Sequence, residues 1–190
     1  MQKQRWFIWL GSALIIGGAA LLGWYVWTLR EQAAAQQHAK EWLNRTTEVH
    51  RPAPPPPSVR RGDVIGELAI PRLKVSVMVF EGADSGILKQ GAGHIPGTIL
   101  PPGRGNIGIA AHRDTYFRPL RFIRAKDVIS LRTPAGTSEF AVAETKIVQP
   151  SDVAVLSPAT GRDLTLVTCY PFFYVGSASH RFIVYARKIG

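Results

Sequence analysis

The sequence contains only one cysteine, Cys169, among its 190 residues. A single cysteine excludes an intramolecular disulfide and any metal site built from several cysteine ligands. No internal repeat is present, and the length favours one domain preceded by a targeting segment. Two roles remain for the lone thiol: an inert, buried side chain or a reactive nucleophile.

The sequence also lacks a lysine and arginine run with interleaved aromatic residues of the kind that nucleic-acid binding requires. Its net charge is +10. Residues 1–61 contain 8 basic and 3 acidic residues, and residues 62–190 contain 15 and 10, so each part carries +5. Such a distribution is typical of solvated surfaces and of cations near anionic lipid headgroups. We therefore predict no nucleic-acid partner.

No charged residue interrupts the apolar run Trp6–Leu29, which is 24 residues long. A helix rises about 1.5 Å per residue, so this run can cross a hydrocarbon core of about 30 Å. A cleaved signal peptide is the alternative, because Ala33–Ala35 offers small residues for cleavage. The apolar part of a signal peptide is only about 7 to 15 residues long, and this run also carries Trp24 and Trp27, which suit a membrane interface. We predict an uncleaved transmembrane anchor at residues 6–29.

Residues 30–61 are predicted to form a spacer between this anchor and a folded head. The segment 28–50 is rich in alanine, glutamine and glutamate, which favours a continuing helix. Pro54–Pro57 then favour extended polyproline II structure, with a rise of about 3.1 Å per residue. We therefore expect a helical stalk and a proline-rich spacer at residues 30–61, followed by one domain at residues 62–190.

From Gly62 onward the sequence changes to short β-type runs separated by glycine and proline. Seven runs predict strands: Val64–Ile70, Val75–Phe80, Asn106–Ala111, Val128–Arg132, Glu139–Val148, Asp163–Cys169 and Arg181–Arg187. Helical turns are predicted only at Ser85–Gln90, Phe117–Arg124 and Ser151–Leu156. Seven or eight strands with so little helix favour an all-β barrel or sandwich.

Cys169 lies at the exit of the predicted strand Asp163–Cys169. Alternation along that strand places Val167 and Cys169 on one face and Thr168 on the other. Pro171 then ends the hydrogen-bonded ladder because it has no backbone N–H. A junction between a rigid strand and a loop is a usual position for a reactive group, so the pattern favours a nucleophile over an inert thiol.

A thiol is a nucleophile only as the thiolate, so it needs an imidazole or a cation nearby. Three histidines lie in the predicted head: His94, His112 and His180. We favour His112, because it follows an apolar strand as Cys169 does. Arg181 opens the last strand and can place positive charge beside a developing oxyanion, although spacing alone leaves a surface ion pair open.

Three segments together resemble the active-site signatures of sortases: IAAHRDTYF at Ile109–Phe117, TLVTCYPF at Thr165–Phe172 and SHRFIVYA at Ser179–Ala186. The resemblance covers about residues 62–188, includes GHIPGT at Gly93–Thr98, and is greatest to class D. It implies an eight-stranded sortase-type β-barrel behind the N-terminal anchor. It also implies a single-pass protein of the cell membrane, with residues 1–5 in the cytoplasm and the catalytic domain outside it.

The resemblance further implies a cysteine transpeptidase that cleaves an LPXTG-like sorting motif between Thr and Gly. Cys169 would attack the Thr carbonyl and form a thioacyl intermediate, and His112 would transfer the protons. Arg181 would bind substrate and stabilise the oxyanion. The expected partners are a protein with a C-terminal sorting signal, an amine acceptor from a peptidoglycan stem peptide or a pilin-type lysine, and the lipid bilayer.

Three further residues are expected to contribute to substrate binding: Thr168, His94 and Asp114. Thr168 would add a donor beside the nucleophile, and Asp114 would orient Arg113 or His112. No cofactor is expected. No acidic cluster matches the calcium site of some class A sortases, so we also predict no metal.

Two other classes of protein compete with this interpretation. An L,D-transpeptidase also uses cysteine and histidine, but it carries His and Gly directly before its cysteine. Here Leu166–Thr168 precede Cys169, and His112 lies 57 positions upstream. The second alternative is a surface-displayed β-barrel adhesion or scaffolding module with an incidental thiol, which would react slowly with electrophiles.

Overall fold

A computed structural model gives the fold and describes residues 2–48, 59–157, 163–174 and 176–189. The chain divides into two compact units, Met1–Ala35 and Gln36–Gly190. Eight strands of the second unit close into a barrel. They are β1 (Val64–Ile70), β2 (Val75–Glu81), β3 (Ala92–His94), β4 (Ile107–Ala110), β5 (Val128–Thr133), β6 (Gly136–Val148), β7 (Leu164–Tyr170) and β8 (His180–Lys188).

Helical structure lies before the barrel and in its connections. The long helix α1 spans Gln2–Glu48, and the short helix α2 spans Ser85–Gln90. Three 3₁₀ helices occupy Pro71–Leu73, Arg118–Phe122 and Val153–Leu156. The last two belong to the connections that follow β4 and β6, so they flank the rim at which β4 and β7 end.

The strands follow the order β1-β2-β3-β4-β7-β8-β6-β5 around the closed barrel. Most neighbours are antiparallel, but β2 and β3, and likewise β4 and β7, are parallel. Parallel strands need a crossover connection, and β5 and β6 form the crossover between β4 and β7. Because parallel strands end at the same edge, the residues that follow β4 and β7 meet at one rim of the barrel.

Inward-facing apolar side chains fill the barrel. Leu68, Ile109, Leu131, Leu166 and Val184 are each at most 1% exposed and belong to one contiguous core cluster. They come from five different strands and alternate with outward-facing residues, as a half-buried sheet requires.

The outer face of β2 is covered by residues 36–44 of α1. Leu43 is fully buried and packs with Met78 and Phe80 in a second apolar cluster. The Gln36 side chain accepts a hydrogen bond from the Met78 backbone N–H at 2.7 Å. Both faces of β2 are therefore buried, which explains why its sequence is an almost continuous apolar run. The second compact unit begins at Gln36, before the predicted domain boundary at residue 62. That boundary stays a prediction.

The structure confirms the predicted all-β barrel and decides against the sandwich. All seven predicted strands are present, each with ends within three residues of the prediction, and the three predicted helical turns form. The sequence did not predict β3, because Ala-Gly-His has neither the length nor the β-branched residues of a typical strand. Gly93 is needed there for close approach: a Cβ atom would lie 2.1 Å from the Gly82 carbonyl oxygen.

No helix among the residues that the structure describes is long and apolar enough to cross a membrane. The anchor predicted at residues 6–29 includes residues 6–16, whose side chains lie outside the described part of the chain. Pro54–Pro57 of the predicted spacer also lie outside the described residues. The anchor and the spacer therefore stay predictions.

Candidate active site

Strand register brings His112 and Cys169 together. Ala110 of β4 pairs in parallel with Val167 of β7. His112 and Cys169 each lie two residues farther along, on neighbouring segments about 4.8 Å apart. The Ala111 backbone N–H donates to the Val167 carbonyl at 3.2 Å, so the pairing continues past the end of β4. Residues two apart on a strand share a face, and the imidazole and thiol therefore lie on the same side.

Arg181 joins this pair from β8. It lies directly opposite Cys169 in the antiparallel ladder, so the two side chains share a face. Its Nη1 donates to the His180 carbonyl at 3.1 Å, and its guanidinium makes no other hydrogen bond to the described residues. His112, Cys169 and Arg181 are all partly buried. The rim thus combines a thiol, an imidazole and a guanidinium with unused donors.

Apolar residues continue this face away from Cys169. Val167 and Ile183 are paired across β7 and β8, two residues before Cys169 and two after Arg181. The 3₁₀ helix Val153–Leu156 packs on them through Val155 and Leu156. Ile183 and Val155 are buried in this contact, whereas Val167 and Leu156 stay partly exposed. The rim that carries Cys169 therefore adjoins an accessible apolar surface, which suits a peptide with an apolar side chain.

Thr168 faces the barrel interior and not the reactive side. It is 2% exposed, and its hydroxyl donates to the Ala111 carbonyl at 2.8 Å. This bond joins β7 to the residue before His112. Because the hydroxyl proton is already used, this geometry does not support the expected donor beside the nucleophile.

Arg113 holds the loop that follows Cys169. Its Nη1 donates to the Pro171 carbonyl at 3.1 Å, and its Nη2 donates to the carbonyls of Tyr174 and Gly176 at 2.8 Å each. Three bonds from the residue next to His112 thus fix the chain just beyond the nucleophile. Sequence reasoning missed this role, although the position of Arg113 directly after the histidine was visible.

Asp114 takes no part in that arrangement. Its side chain is exposed and makes no hydrogen bond within the described part of the chain. It therefore orients neither Arg113 nor His112 in this structure, and the expected role in substrate binding has no contact to support it.

The turn after His112 is held by buried aromatic residues. The Phe117 backbone N–H donates to the His112 carbonyl at 3.1 Å, and the Phe117 ring is fully buried. The Tyr116 hydroxyl donates to the Gln90 carbonyl at 3.0 Å. Burial raises the pKa of Tyr116, so this hydroxyl keeps its proton and its bond at neutral pH. The backbone that carries His112 is therefore fixed from both sides.

His94 lies away from the rim, inside the β2–β4 connection. It is 1% exposed; its Nδ1 lies 2.7 Å from a Glu81 carboxylate oxygen, and its Nε2 lies 3.1 Å from the Ile99 carbonyl. The Thr98 hydroxyl is 3.0 Å from the same Nε2. Both ring nitrogens are engaged inside the protein, so this position does not support the expected contact with substrate and indicates a structural role.

The remaining histidine of the head, His180, contacts its own surroundings. Its Nε2 lies 3.2 Å from the Gln149 amide nitrogen, and its Nδ1 lies 2.9 Å from the Ser179 hydroxyl. It pairs with Tyr170 in the ladder, one position beyond the pair formed by Cys169 and Arg181. Across the described residues, no group of three or more His, Cys, Asp or Glu side chains is placed to hold a metal ion.

Aromatic rings support the reactive face from behind. The rings of Phe172 and Phe182 lie 5.3 Å apart, and each also contacts Tyr170, at 5.9 and 6.4 Å respectively. Phe182 follows Arg181 on β8 and faces the interior, opposite Thr168. The sequence shows these aromatic residues, but only the barrel places them together under the site.

Comparisons with known proteins agree with this geometry. A family model described as "Sortase domain" matches residues 68–189. Sortase D of Bacillus subtilis is 32% identical over 166 residues, which cover 85% of this chain and 83% of that protein. The solved structure of a Clostridium perfringens Sortase D5 transpeptidase has a TM-score of 0.67 at 26% identity, covering 84% of this chain and 98% of the other.

A second solved structure, Sortase C1 of Streptococcus agalactiae, has a TM-score of 0.62 at 28% identity, with 67% and 68% of the two chains covered. The expected similarity to class D sortases is confirmed by the match to Sortase D. The family match includes β4, β7 and β8, the three strands that bring the reactive side chains together. This chain therefore belongs to the sortase family of cysteine transpeptidases.

Proposed function

We propose that this sortase cleaves an LPXTG-like sorting motif through Cys169 and transfers the acyl group to an amine at the cell surface. The observation that carries the proposal is the shared register of His112, Cys169 and Arg181 on one face of β4, β7 and β8. Membership of the sortase family decides against the L,D-transpeptidase and against the adhesion module with an incidental thiol.

In the first half of the reaction, the Cys169 thiolate attacks the carbonyl carbon of the motif's Thr–Gly bond. The C–S bond forms, and the carbonyl electrons move to oxygen, giving a tetrahedral oxyanion. Collapse of that intermediate breaks the C–N bond, and protonated His112 gives its proton to the leaving amine. The product is a thioester on Cys169 and a neutral His112.

In the second half, the acceptor amine attacks the thioester carbon. His112 takes the proton that the amine loses, and the C–S bond breaks to regenerate the Cys169 thiolate. The protons and electrons of the two halves balance, so no cofactor is needed. Water can replace the amine, which gives hydrolysis instead of transfer.

Arg181 serves both halves as a fixed donor. Its position opposite Cys169 lets unused guanidinium N–H groups reach the oxyanion or the substrate backbone. The partly buried apolar side chains of Val167 and Leu156 receive the apolar side chain of the motif.

The test uses the full chain in neutral detergent with a sorting peptide that carries a fluorophore and a quencher. Cys169→Ala removes one sulfur from a partly buried strand exit, so the fold stays intact while cleavage stops. Mass spectrometry of the wild-type chain detects the acyl adduct on the tryptic peptide that contains Cys169. Retained turnover in Cys169→Ala, with a native circular dichroism spectrum, excludes the thioester mechanism.

We further propose that residues 6–29 anchor the chain in the cell membrane, with the catalytic domain outside. The support is the uncharged apolar run in the sequence. The wild-type chain should resist extraction by alkaline carbonate, whereas Leu21→Arg/Leu22→Arg should be released, since each arginine costs about 2.5 to 3.5 kcal/mol at a helix centre. Release of the wild-type chain by carbonate overturns the anchor.

A further inference from the structure

Five cationic side chains line one cavity between the 3₁₀ helices Pro71–Leu73 and Arg118–Phe122. The cavity has a volume of about 660 Å³, within the usual range for small-ligand sites. Its cationic lining consists of Arg72, Lys74, Arg118, Arg121 and Arg124. No part of the proposed transpeptidase reaction uses these residues.

Only one of these cations is neutralised by an acid. Arg72 donates to both carboxylate oxygens of Asp127, at 2.5 Å each. The bond from Arg72 holds the pKa of Asp127 below its usual range, with a smaller contribution from Arg124, so Asp127 is ionised at neutral pH. Five positive charges and one negative charge leave a net +4. None of the other four cations forms an ion pair with a described residue.

Arg121 lies between two aromatic rings and has buried N–H groups without acceptors. Its guanidinium carbon lies 4.5 Å from the ring centroid of Phe122 and 5.0 Å from that of Phe173. Its Nε and Nη1 atoms are buried, and no acceptor among the described residues is within hydrogen-bond distance. The two rings contact the faces of the guanidinium but cannot accept from its in-plane N–H groups. Buried donors without acceptors are unfavourable, so a shift of this side chain toward a ligand that supplies oxygen atoms in the cavity would satisfy them.

We propose that this cavity binds a phosphate or diphosphate group. Arginine forks match the oxygens of phosphate with paired, charge-assisted hydrogen bonds. The uncompensated charge of the cavity also favours a multiply charged anion over a single carboxylate. The phosphate belongs either to a soluble phosphate ester or to a lipid headgroup, and the cavity chemistry is the same for both.

The position of the cavity connects it to the reactive rim. Arg121 also lines a neighbouring aromatic pocket of about 460 Å³, together with Tyr170, Phe172 and Phe173. Phe173 lies in the loop that follows Cys169 and is 76% exposed. An anion that engages Arg121 therefore contacts the side chain that stacks on this loop. Binding of the anion does not depend on the proposed transpeptidation.

The first experiment titrates inorganic diphosphate into the full chain by calorimetry at low ionic strength. Arg118→Gln/Arg121→Gln/Arg124→Gln should weaken binding at least ~10-fold, because each removed donor made a charge-assisted hydrogen bond. The matched control, Lys146→Gln/Arg187→Gln/Lys188→Gln, removes the same charge from exposed residues of β6 and β8 and should bind like wild type.

The double variant Arg118→Gln/Arg124→Gln keeps the ring contacts of Arg121, and both changed residues are exposed. It therefore tests the site even if the triple variant fails to fold, and it should also bind diphosphate more weakly than the control. The proposal is overturned if the cavity variants and the control variant bind diphosphate with equal affinity. It is also overturned if diphosphate does not bind and the lipid vesicles of the second experiment protect neither Arg118 nor Arg124.

The second experiment identifies the source of the phosphate by modification of arginine with phenylglyoxal, with Arg187 as the internal reference. Protection of Arg118 and Arg124 by inorganic diphosphate in neutral detergent indicates a soluble ligand. Protection in phosphatidylcholine vesicles that contain phosphatidylglycerol, but not in phosphatidylcholine alone, indicates a lipid headgroup. No selective protection in either arm contradicts the phosphate site.

Discussion

The rim at which β4, β7 and β8 meet differs in its polar contacts from the wall formed by β1, β2 and residues 36–44. On the wall, charges are paired: Glu67 accepts from Ser76 at 2.6 Å and from Arg132 at 2.8 Å, and it lies 3.1 Å from the Lys40 ammonium. On the rim, the side chains of Cys169 and Arg181 stay available to a substrate.

Different kinds of contact stabilise the wall and the rim. The wall is held by charged and polar side chains that bond to one another. The rim is held by backbone register and by neighbours such as Arg113 and Thr168, which bond to backbone carbonyls. Supporting residues thus fix the rim and leave the side chains of Cys169 and Arg181 free for a substrate.

The largest expected effect separates two histidines. His112→Ala should lower kcat by about 10²- to 10⁴-fold, because the general acid and base is lost. His94→Ala should destabilise the β2–β4 connection while a measurable rate remains. Peptide cleavage and thermal unfolding, measured on both variants, check this. Equal loss of rate in two folded variants would leave the base unassigned and contradict the structural role of His94.

The next effect concerns the guanidinium of Arg181. Arg181→Lys should be almost as damaging as Arg181→Ala, since a point ammonium cannot reach two acceptors as a planar fork does. Loss of one oxyanion donor lowers kcat by about 10²- to 10³-fold. Steady-state kinetics should show the loss in kcat more than in KM. If lysine restores most of the rate, Arg181 acts only through its charge.

A smaller effect is expected at Arg113, the residue that positions the loop after Cys169. Arg113→Lys cannot replace three bonds to separate carbonyls, so kcat should fall roughly 10-fold with little change in KM. The matched control is Arg187→Lys, an exposed change on β8. If kcat is unchanged and the variant unfolds at the same temperature as the wild type, contacts other than those of Arg113 fix the geometry of the loop.

The smallest effect on activity belongs to the wall. Burial alone raises the pKa of Glu67, but the bonds from Ser76, Arg132 and Lys40 outweigh it and lower the pKa to about 2. The stabilising contribution of Glu67 is therefore full above its unfolded pKa of about 4.5 and is lost as the pH falls from 4.5 to 2. Glu67→Gln should reduce the free energy of unfolding by about 1 to 2 kcal/mol at pH 7.

Denaturant unfolding at several pH values measures this contribution. Between pH 4.5 and 2, the wild-type protein should lose the stability that Glu67 supplies, so the difference between wild type and Glu67→Gln should shrink. The kcat at pH 7 should stay unchanged. A lower kcat would show that the wall and the rim are coupled, contrary to the comparison above.

Much of the fold could be predicted from local signals. The alternation of apolar and polar residues, together with the glycines and prolines between the runs, predicted seven strands to within three residues of their ends. This works because half-buried strands have a clear period of two residues. β3 escaped prediction since three residues hold no periodic signal. The packing of residues 36–44 on β2 also escaped prediction, because an amphipathic pattern does not say which surface it will cover.

The candidate site divides in the same way. The sequence predicts catalytic roles for Cys169, His112 and Arg181 because each follows or opens a periodic strand within a family signature, and their roles stay predictions. Thr168, His94 and Asp114 were assigned by proximity in sequence, and the structure gives each a different setting: one faces inward, one is buried with both nitrogens engaged, and one is exposed. Arg118, Arg121 and Arg124 are three positions apart in the sequence, which therefore contains no run of consecutive basic residues there. Only the folded chain brings the three side chains to one cavity.

By itself, the sequence determined which groups exist and where each strand ends: a lone thiol before a proline, a histidine after an apolar strand, and an arginine at the start of the last strand. Tertiary structure alone decided which of these meet. β4 and β7 pair in parallel across a two-strand crossover, and β8 pairs with β7. His112 and Cys169 are 57 positions apart along the chain, and Cys169 and Arg181 are 12 apart, so their approach depends on the closure of the barrel. Local propensity cannot encode such pairings, because they arise from the burial of all eight strands around one core.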